Sequence, residues 1–305
     1  MSGFFDLQVN GYGGVDFNGD GLSVEALQSA CERLEGDGVE GFLATVITDG
    51  LDKMAARISN LVRLRDEVPV ARRLIAGIHI EGPFLSPDPG YRGAHPLGAI
   101  RKANVDDMSR LLDAGGGLVR LVTLAPEFDT GQSVTKMLVN SKVVVSAGHC
   151  NPSLDELRAA IDAGLSMFTH LGNATPMMMH RHDNIIQRAL SLSDRLWICF
   201  IADGAHVAFP ALSNYLKVVG MERAIVVTDA VAPAGLGPGQ YRYFDWDVTI
   251  GEDLVAMAPD GSHLIGSVST MPRVVDNLVS ACGLTEEEAR RLTSLNPRRA
   301  LGFSQ

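Results

Sequence analysis

The chain has 305 residues, of which 46% are hydrophobic and 20% are charged, and its formal net charge is −10. The negative charge argues against nonspecific binding to nucleic acid or anionic membranes, because both need cationic patches on the protein. A small phosphorylated substrate is compatible with it, since a few local cations suffice. The length exceeds that of most single compact domains, and barrels are the usual exception.

The sequence gives no sign of export or membrane insertion. The N-terminus runs directly into Phe4-Phe5-Asp6 without a basic segment and an apolar stretch, and no apolar run approaches the ~18 residues that span a bilayer. The four cysteines are widely spaced and form no CxxC motif, which fits reduced thiols. We therefore expect a cytoplasmic protein without nucleic-acid or membrane partners.

Apolar runs typical of buried strands alternate along the chain with amphipathic helical patterns. The predicted strands are residues 4–9, 42–47, 74–80, 118–124, 143–147, 166–169, 196–202 and 224–227. The helical patterns include residues 23–35, 51–65, 105–114, 153–163 and 210–219. Such continuously apolar strands are typical of a parallel sheet covered on both faces. Eight of them, with no GxGxxG turn after the first, favour a (β/α)8 TIM barrel over a Rossmann sheet.

Local signals support this interpretation. Ser153 precedes Leu-Asp-Glu, and Thr285 lies three residues before Glu288, which is a capping-box pattern at a helix start. Residues 233–262, rich in Gly and Pro, break the strand–helix rhythm and predict a long loop or hairpin after strand eight. We find no linker or internal repeat, so residues 1–305 are expected to form a single catalytic barrel domain.

Residues able to do chemistry follow almost every predicted strand. They are Gln8 and Asn10 on the first, His79 and Glu81 on the third, Glu127 after the fourth, His149 and His170 after the fifth and sixth, Asp203 and His206 after the seventh, and Asp229 after the eighth. In a barrel these strand ends meet at one face, where active sites lie.

Two of these groups suggest a hydrolytic metal centre. Glu81, His149 and His170 form a His₂Glu set with a fourth position open to water, as in catalytic zinc sites. The alternative for any one histidine is a core or capping role. Asp229 could accept a proton from a water beside the metal, or it could only cap a turn. Zinc is the first expectation for the metal, although the set also accommodates iron, cobalt or manganese.

Three further residues are candidate substrate contacts. His95 lies in Gly-Ala-His-Pro after strand three, Arg181 in His-Arg-His-Asp after strand six, and His206 in Asp-Gly-Ala-His. Each could instead be a solvated loop residue.

Motifs along the whole chain resemble those of the N-acetylglucosamine-6-phosphate deacetylase family of the amidohydrolase superfamily. The matching strings are FDLQVNGYGG from Phe5, HIEGPF from His79, GAH from Gly93, VTLAPE from Val122, SAGH from Ser146, THLGNA from Thr169, ADGAHV from Ala202, TDA from Thr228 and LIGS from Leu264.

The resemblance implies a role for each matching residue. Glu81, His149 and His170 would bind the metal, Asp229 would be the acid/base, and His206 would polarise the acetyl carbonyl. His95 and Arg181 would reach the sugar phosphate. The rest of the substrate pocket would comprise Ala94, Asn173, Ala174, Asp203, Leu264, Ile265 and Gly266, with Gln8, Asn10 and His79 supporting the metal ligands. In relatives the equivalent of Arg181 comes from a neighbouring subunit, which implies a homodimer.

The sequence departs from the family pattern in two places. Gln8 and Asn10 stand where many amidohydrolases carry His-x-His, which predicts one metal ion per chain rather than two. The chain also begins at the first barrel strand and lacks most of the small β-sandwich of family members, so a barrel-only version is expected.

The predicted reaction is hydrolysis of N-acetylglucosamine 6-phosphate to glucosamine 6-phosphate and acetate. Alternatives are a related substrate, such as N-acetylgalactosamine 6-phosphate or an N-acyl amino acid, and a non-catalytic barrel that binds amino-sugar phosphates. A pure binder would need neither a base such as Asp229 nor an open metal position.

Overall fold

An eight-stranded parallel sheet forms the centre of the computed structural model, which describes residues 3–243, 246–258, 260–261 and 263–303. Its strands follow chain order: β1 (Phe4–Val9), β2 (Val39–Ile47), β3 (Ile75–Glu81), β4 (Val119–Leu124), β5 (Val144–Ala147), β6 (Met167–Phe168), β7 (Trp197–Ile201) and β8 (Ala224–Val227). The predicted TIM barrel is confirmed. The first and last strands have the predicted bounds, and the others differ by one to three residues at an end.

Helices cover the outside of the sheet. They are α1 (Val24–Gly36), α2 (Leu51–Glu67), α3 (Pro69–Leu74), α4 (Val105–Ala114), α5 (Ser133–Asn140), α6 (Leu154–Asp162), α7 (Ile185–Leu190), α8 (Phe209–Val219), α9 (Met271–Ser280), α10 (Glu286–Arg290) and α11 (Asn296–Ala300). Both expected helix starts carry a capping box, at Ser153 with Glu156 and at Thr285 with Glu288. A π-helical turn, Arg291–Leu295, joins α10 to α11.

Alternation along the strands separates two apolar layers. Outward-facing residues such as Phe42, Ile78 and Val122 pack against the helices in the larger core cluster. Residues of the opposite parity, including Leu43 and Leu121, form a second cluster inside the barrel. Successive strand residues point to opposite faces, so the interior side chains two positions further toward the carboxyl ends stack above this second cluster. A buried polar layer that includes Thr45, His79 and Thr123 therefore lies between this apolar cluster and the pocket.

The barrel closes between β1 and β8 with little regular pairing. Among the described residues, one backbone bridge, Val9 to Ala230, links the two strand ends. The Asn10 amide donates to the Ala230 carbonyl at 2.7 Å. Side chains add further contacts along this seam, between Asn10 and Asp229 and between Asp6 and Thr228.

A two-stranded antiparallel hairpin follows β8, within the predicted insertion at residues 233–262. Its strands are β9 (Gly239–Tyr243) and β10 (Trp246–Ile250), and Val248 and Ile250 pack with Ile265 in a small apolar cluster. Positions 244, 245, 259 and 262 of this range lie outside the described residues. That residues 1–305 form one domain stays a prediction. No helix of the described residues has the length and apolarity needed to cross a membrane.

Candidate active site

One pocket lies at the carboxyl ends of the barrel strands. Glu81 is the last residue of β3, while His149, His170 and Asp229 each follow the end of their strand by two residues. The lining residues are Asn10, Ile47, Glu81, Gly93, Ala94, His95, His149, His170, Asn173, Ala174, His206, Asp229, Val231, Leu264, Ile265 and Gly266. The structure thus brings together most of the residues that the sequence singled out.

A single carboxylate oxygen is shared by two histidines in this pocket. Oε1 of Glu81 lies 3.0 Å from Nε2 of His170 and 3.2 Å from Nε2 of His149. All three side chains are buried. Burial alone would raise the pKa of Glu81, but the two imidazoles hold it well below its usual range. Glu81 is therefore an anionic ligand with both histidine nitrogens beside it.

The backbone fixes the orientation of the His149 ring. Its Nδ1 lies 2.9 Å from the carbonyl oxygen of Tyr91. A carbonyl can only accept, so Nδ1 carries the proton and the lone pair of Nε2 faces the Glu81 oxygen. Two lone pairs facing each other at 3.2 Å repel unless a proton or a cation lies between them. Metal-binding histidines commonly have this arrangement, with the distal nitrogen bound to a backbone carbonyl.

The donor set fits a divalent metal ion. In a tetrahedral zinc site, bonds of about 2.0–2.1 Å separate neighbouring ligand atoms by about 3.3 Å. The separations of 3.0 and 3.2 Å around the Glu81 oxygen are close to this value. One carboxylate and two imidazoles also match the composition of catalytic rather than structural zinc sites. Among the described residues, the cluster whose ligand atoms all lie within 4.8 Å of one another is Glu81, His95 and His149, so His95 stands there in place of the predicted His170.

His95 lines the pocket beside His149, and its predicted contact with the sugar phosphate stays a prediction. It is buried, and its Nε2 is 3.2 Å from Nε2 of His149. Burial, followed by the neighbouring His149, lowers the pKa of His95 to about 3. Among the described residues, its Nδ1 has no hydrogen-bond partner. The ring is therefore neutral and lies against His149.

Three residues that line the pocket have unusual backbone angles. His149, His170 and Asp229 have φ values of 51°, 30° and 52°, in the left-handed region that non-glycine residues rarely adopt. Such residues cluster at functional sites, where surrounding structure holds them. The chain before His149 is equally constrained, because a Cβ on Gly148 would approach a methyl of Thr123 to 2.6 Å.

Asp229 lies opposite the histidines and is held by β1. Its Oδ1 accepts from Nδ2 of Asn10 at 2.7 Å. Burial, followed by the charge of Glu81, raises the pKa of Asp229 to about 6. A carboxylate with a pKa near neutrality is suited to taking up and releasing a proton. Gln8 supports the other side of the pocket, since its Nε2 donates to Oε2 of Glu81 at 3.1 Å.

A second histidine–carboxylate contact involves His206, which lines the pocket. Nδ1 of His206 is 2.6 Å from Oδ2 of Asp203, and both side chains are almost fully buried. Asp203 also accepts from the backbone amides of Ala205 and His206. Although burial opposes ionisation, these bonds, led by that of His206, lower the pKa of Asp203 to about 2. The carboxylate thus fixes the ring and leaves its Nε2 available to the pocket.

His79 lies below the pocket instead of lining it. It is fully buried, and its Nε2 is 2.8 Å from Oγ1 of Thr123, which continues to Oγ1 of Thr169 at 2.7 Å. Burial lowers the pKa of His79 to about 4. A neutral ring bonded to hydroxyls supports the strand ends that carry Glu81 and His170, which fits the supporting role expected for it.

Arg181 is separate from the rest of the predicted site. It lies in the loop at residues 175–184, where it is exposed, and in the described part of the chain it does not line the pocket. Its neighbours Met177 and Met178 are 98% and 90% exposed. A residue contributed to another subunit's site would be exposed in this way in a single chain.

Sequence reasoning missed several residues of the pocket. Ile47, Gly93 and Val231 line it, and Tyr91 orients His149 through its carbonyl oxygen. Apolar wall residues carry no chemical signature, and a backbone carbonyl is independent of residue type. Gly93 is the first residue of the Gly-Ala-His motif, which was its only signal in the sequence.

Comparison with known proteins agrees with this geometry. The model of the amidohydrolase family matches residues 1–305. N-acetylglucosamine-6-phosphate deacetylase of Bos taurus is 32% identical over 317 residues, covering 99% of this chain and 74% of that protein. N-acetylgalactosamine-6-phosphate deacetylase of Escherichia coli O157:H7 is 30% identical, covering 98% of this chain and 77% of that protein.

A solved structure supports the same assignment. A mutant of N-acetyl-D-glucosamine-6-phosphate deacetylase from Mycobacterium smegmatis, in complex with N-acetyl-D-glucosamine-6-phosphate, superimposes with a TM-score of 0.88 at 33% identity. The match covers 99% of this chain and 78% of that one. The chain therefore belongs to the amidohydrolase family of metal-dependent hydrolases and, within it, to the N-acetylglucosamine-6-phosphate deacetylase family.

Proposed function

We propose that the protein hydrolyses the acetamide of N-acetylglucosamine 6-phosphate to glucosamine 6-phosphate and acetate. The observation that carries the proposal is the convergence of two histidines on one Glu81 oxygen, with the buried Asp229 in the same pocket. A metal-ligand set facing a carboxylate of raised pKa is the arrangement that amide hydrolysis needs. Relatives that carry this name, and share about a third of their residues with the chain, support the choice of substrate.

Glu81, His149 and His170 would hold one divalent metal ion, with zinc as the first candidate. When bound, that ion would polarise the acetyl carbonyl and lower the pKa of an attacking water. Gln8 anchors the second oxygen of Glu81, and the Tyr91 carbonyl holds the His149 ring, so the ligand atoms are oriented before any ion binds.

Asp229 would move the proton of the reaction. Its carboxylate accepts a proton from the water as the water oxygen bonds to the acetyl carbon. The protonated Asp229 then donates to the amide nitrogen as the C–N bond breaks, releasing the amine and acetate. Asn10 holds one carboxylate oxygen at 2.7 Å, which leaves the other free for this transfer. The raised pKa of Asp229 suits both halves of the step.

His206 would stabilise the charge that develops on the carbonyl oxygen. Asp203 anchors Nδ1, and in the protonated ring Nε2–H points into the pocket as a donor. A donor fixed in advance in a buried site stabilises an oxyanion without reorganisation, which is worth several kcal/mol in comparable enzymes, roughly 2.7–4.

The sugar phosphate would occupy the outer part of the pocket. Its walls there are Ala94, Asn173, Ala174 and the backbone of residues 264–266. His95 would separate this space from the metal ligands, since it lines the pocket and touches His149. We propose that Arg181 binds the 6-phosphate from the partner subunit of a homodimer, because in its own chain it is exposed outside the pocket.

A substrate panel tests the proposal. Zinc-loaded protein should release acetate from N-acetylglucosamine 6-phosphate far faster than from unphosphorylated N-acetylglucosamine or an N-acyl amino acid. N-acetylgalactosamine 6-phosphate belongs in the panel because relatives named for that substrate are 30% and 34% identical to the chain. A higher kcat/KM for the galacto epimer would reassign the substrate. Tight binding of either phosphate without acetate release would indicate a binding protein instead of an enzyme.

A further inference from the structure

A buried carboxylate below the pocket joins the first and last strands of the barrel. Asp6 is 1% exposed, and its two oxygens accept from the amide of Thr228, at 3.3 Å, and from the Thr228 hydroxyl. Burial raises the pKa of Asp6 to about 7, while the bonds donated by Thr228 and the Gln8 amide favour the carboxylate. These contacts lie on the seam where backbone pairing between β1 and β8 is sparse.

The Thr228 hydroxyl makes hydrogen bonds close to Asp229, the residue that we assign as the base. It donates to Asp6 and accepts from the amide of Ala230 at 3.1 Å, so it contacts the chain on both sides of Asp229. Asp229 itself has a φ of 52°. An L-residue other than glycine enters this region at a cost and remains there only when neighbouring contacts hold it. The Thr228 hydroxyl provides such contacts.

The same carboxylate also reaches the metal side of the pocket. Oδ1 of Asp6 accepts from the Gln8 amide at 3.2 Å, and the Gln8 side chain donates to Oε2 of Glu81. Asp6 thus accepts a hydrogen bond from Thr228, which precedes Asp229 in the chain, and another from Gln8, whose side chain orients Glu81. It touches neither the pocket nor the expected position of the substrate.

We infer that Asp6 and Thr228 form a positioning pair that holds the general base Asp229 in register with the metal ligand Glu81 across the β1–β8 seam. The inference rests on the proposed function. Neither residue takes part in the chemistry. Their effect is on the distance between the Asp229 carboxylate and the reacting atoms, where misplacement by about 1 Å lowers rates by roughly a hundredfold. Substrate binding relies on other walls of the pocket, so kcat should change and KM should not.

The test compares two substitutions at one position. Thr228→Val keeps the shape and removes the hydroxyl, while Thr228→Ser keeps the hydroxyl and removes a methyl. We expect Thr228→Val to lower kcat about 10–100-fold with KM within about twofold and metal content unchanged, and Thr228→Ser to stay within about threefold of the parent. Thr249→Val, on an exposed position of β10, is the matched control and should have the parent's kcat.

A double variant of Asp6 and Thr228 distinguishes a positioning role from general destabilisation of the fold. Asp6→Asn should lower kcat as Thr228→Val does, and the double variant should be little worse than either, because both remove the same link. If Asp6→Asn does not fold, the Thr228 variants alone carry the test. Equal losses of kcat in Thr228→Val and Thr228→Ser, or parental kcat in Thr228→Val, would overturn the inference.

Crystal structures of the two Thr228 variants test the inference even if the proposed reaction is wrong. If the parent releases no acetate from any substrate of the panel, the proposed function fails, and crystal structures of the two Thr228 variants decide the positioning claim. We expect Asp229 to leave its left-handed conformation and its bond to Asn10 in Thr228→Val and to keep both in Thr228→Ser. An unmoved Asp229 in Thr228→Val would contradict a positioning role.

Discussion

The strand-end pocket and the loop at residues 175–184 differ in how the chain holds their polar side chains. In the pocket, Glu81 and His170 are 3% and 2% exposed and are fixed by hydrogen bonds from several strands. In the loop, Arg181 is exposed next to two almost fully exposed methionines. The comparison indicates that the chain itself fixes the polar groups of the pocket, whereas Arg181, the proposed phosphate contact, lies exposed outside it.

The largest effect should follow from neutralising the proposed base. Asp229→Asn keeps the shape and the bond to Asn10, and it should lower kcat by roughly 10²–10⁴ while KM changes little, because the proton transfer belongs to the transition state. Steady-state acetate release measures this. Asp155→Asn, on the exposed side of α6, is the control and should have the parent's kcat. A kcat within a few-fold of the parent in Asp229→Asn would remove the residue from the mechanism.

On the loop side, Arg181→Ala should act on binding. Charge-assisted bonds to phosphate are worth about 1.5–3 kcal/mol, so KM for the phosphorylated sugar should rise roughly 10–150-fold, with little change for the unphosphorylated sugar. Arg63→Ala, at an equally exposed arginine of α2, is the control. A small loss that disappears with added salt would instead indicate long-range attraction of anions. An equal loss on both sugars would mean that Arg181 supports the loop.

Mixing two impaired variants, assayed at a substrate concentration far below the KM of Arg181→Ala, tests whether the arginine acts across subunits. Arg181→Ala and Asp229→Asn chains each lack one function, so hybrid dimers would contain one complete site. Activity should recover in part after subunit exchange. If exchange is demonstrated by native mass spectrometry and activity does not recover, the arginine serves its own chain.

The pH dependence should report the raised pKa of Asp229. Only the carboxylate can accept a proton from water, and burial raises its pKa to about 6. kcat should therefore be near its maximum above pH 7 and fall as pH decreases through 6, to about one-tenth at pH 5. A kcat profile of the parent, with metal content verified at each pH, measures this. A flat profile between pH 5 and 7 would conflict with the assignment.

The smallest effect should follow from a substitution at a helix cap away from the pocket. Ser153 caps α6 through its hydroxyl, so Ser153→Ala should lower the free energy of unfolding by about 1 kcal/mol without changing kcat. Denaturant unfolding measures it. Ser59→Ala, inside α2 on an exposed face, should instead leave stability unchanged or slightly increased.

The fold and the pocket could be predicted because their signals are periodic and positional. Apolar strand runs indicated the barrel, and a barrel places His149, His170 and Asp229 at one face whatever the details of packing. The contacts of Tyr91, Asp6 and Thr228 could not be predicted, because they depend on three-dimensional contacts across a loop or across the seam. Arg181 was identified from its loop position and the family resemblance, and no contact among the described residues indicates its role.

Metal titration tests most directly whether the strand-end pocket is the hydrolytic centre. Protein stripped with a chelator should release no acetate from N-acetylglucosamine 6-phosphate, and the rate should rise linearly with added zinc to a plateau at one equivalent per chain. Glu81→Gln, measured in parallel, should neither retain the equivalent nor gain the activity. Acetate release without metal, a plateau at two equivalents, or full metal occupancy in Glu81→Gln would contradict the account.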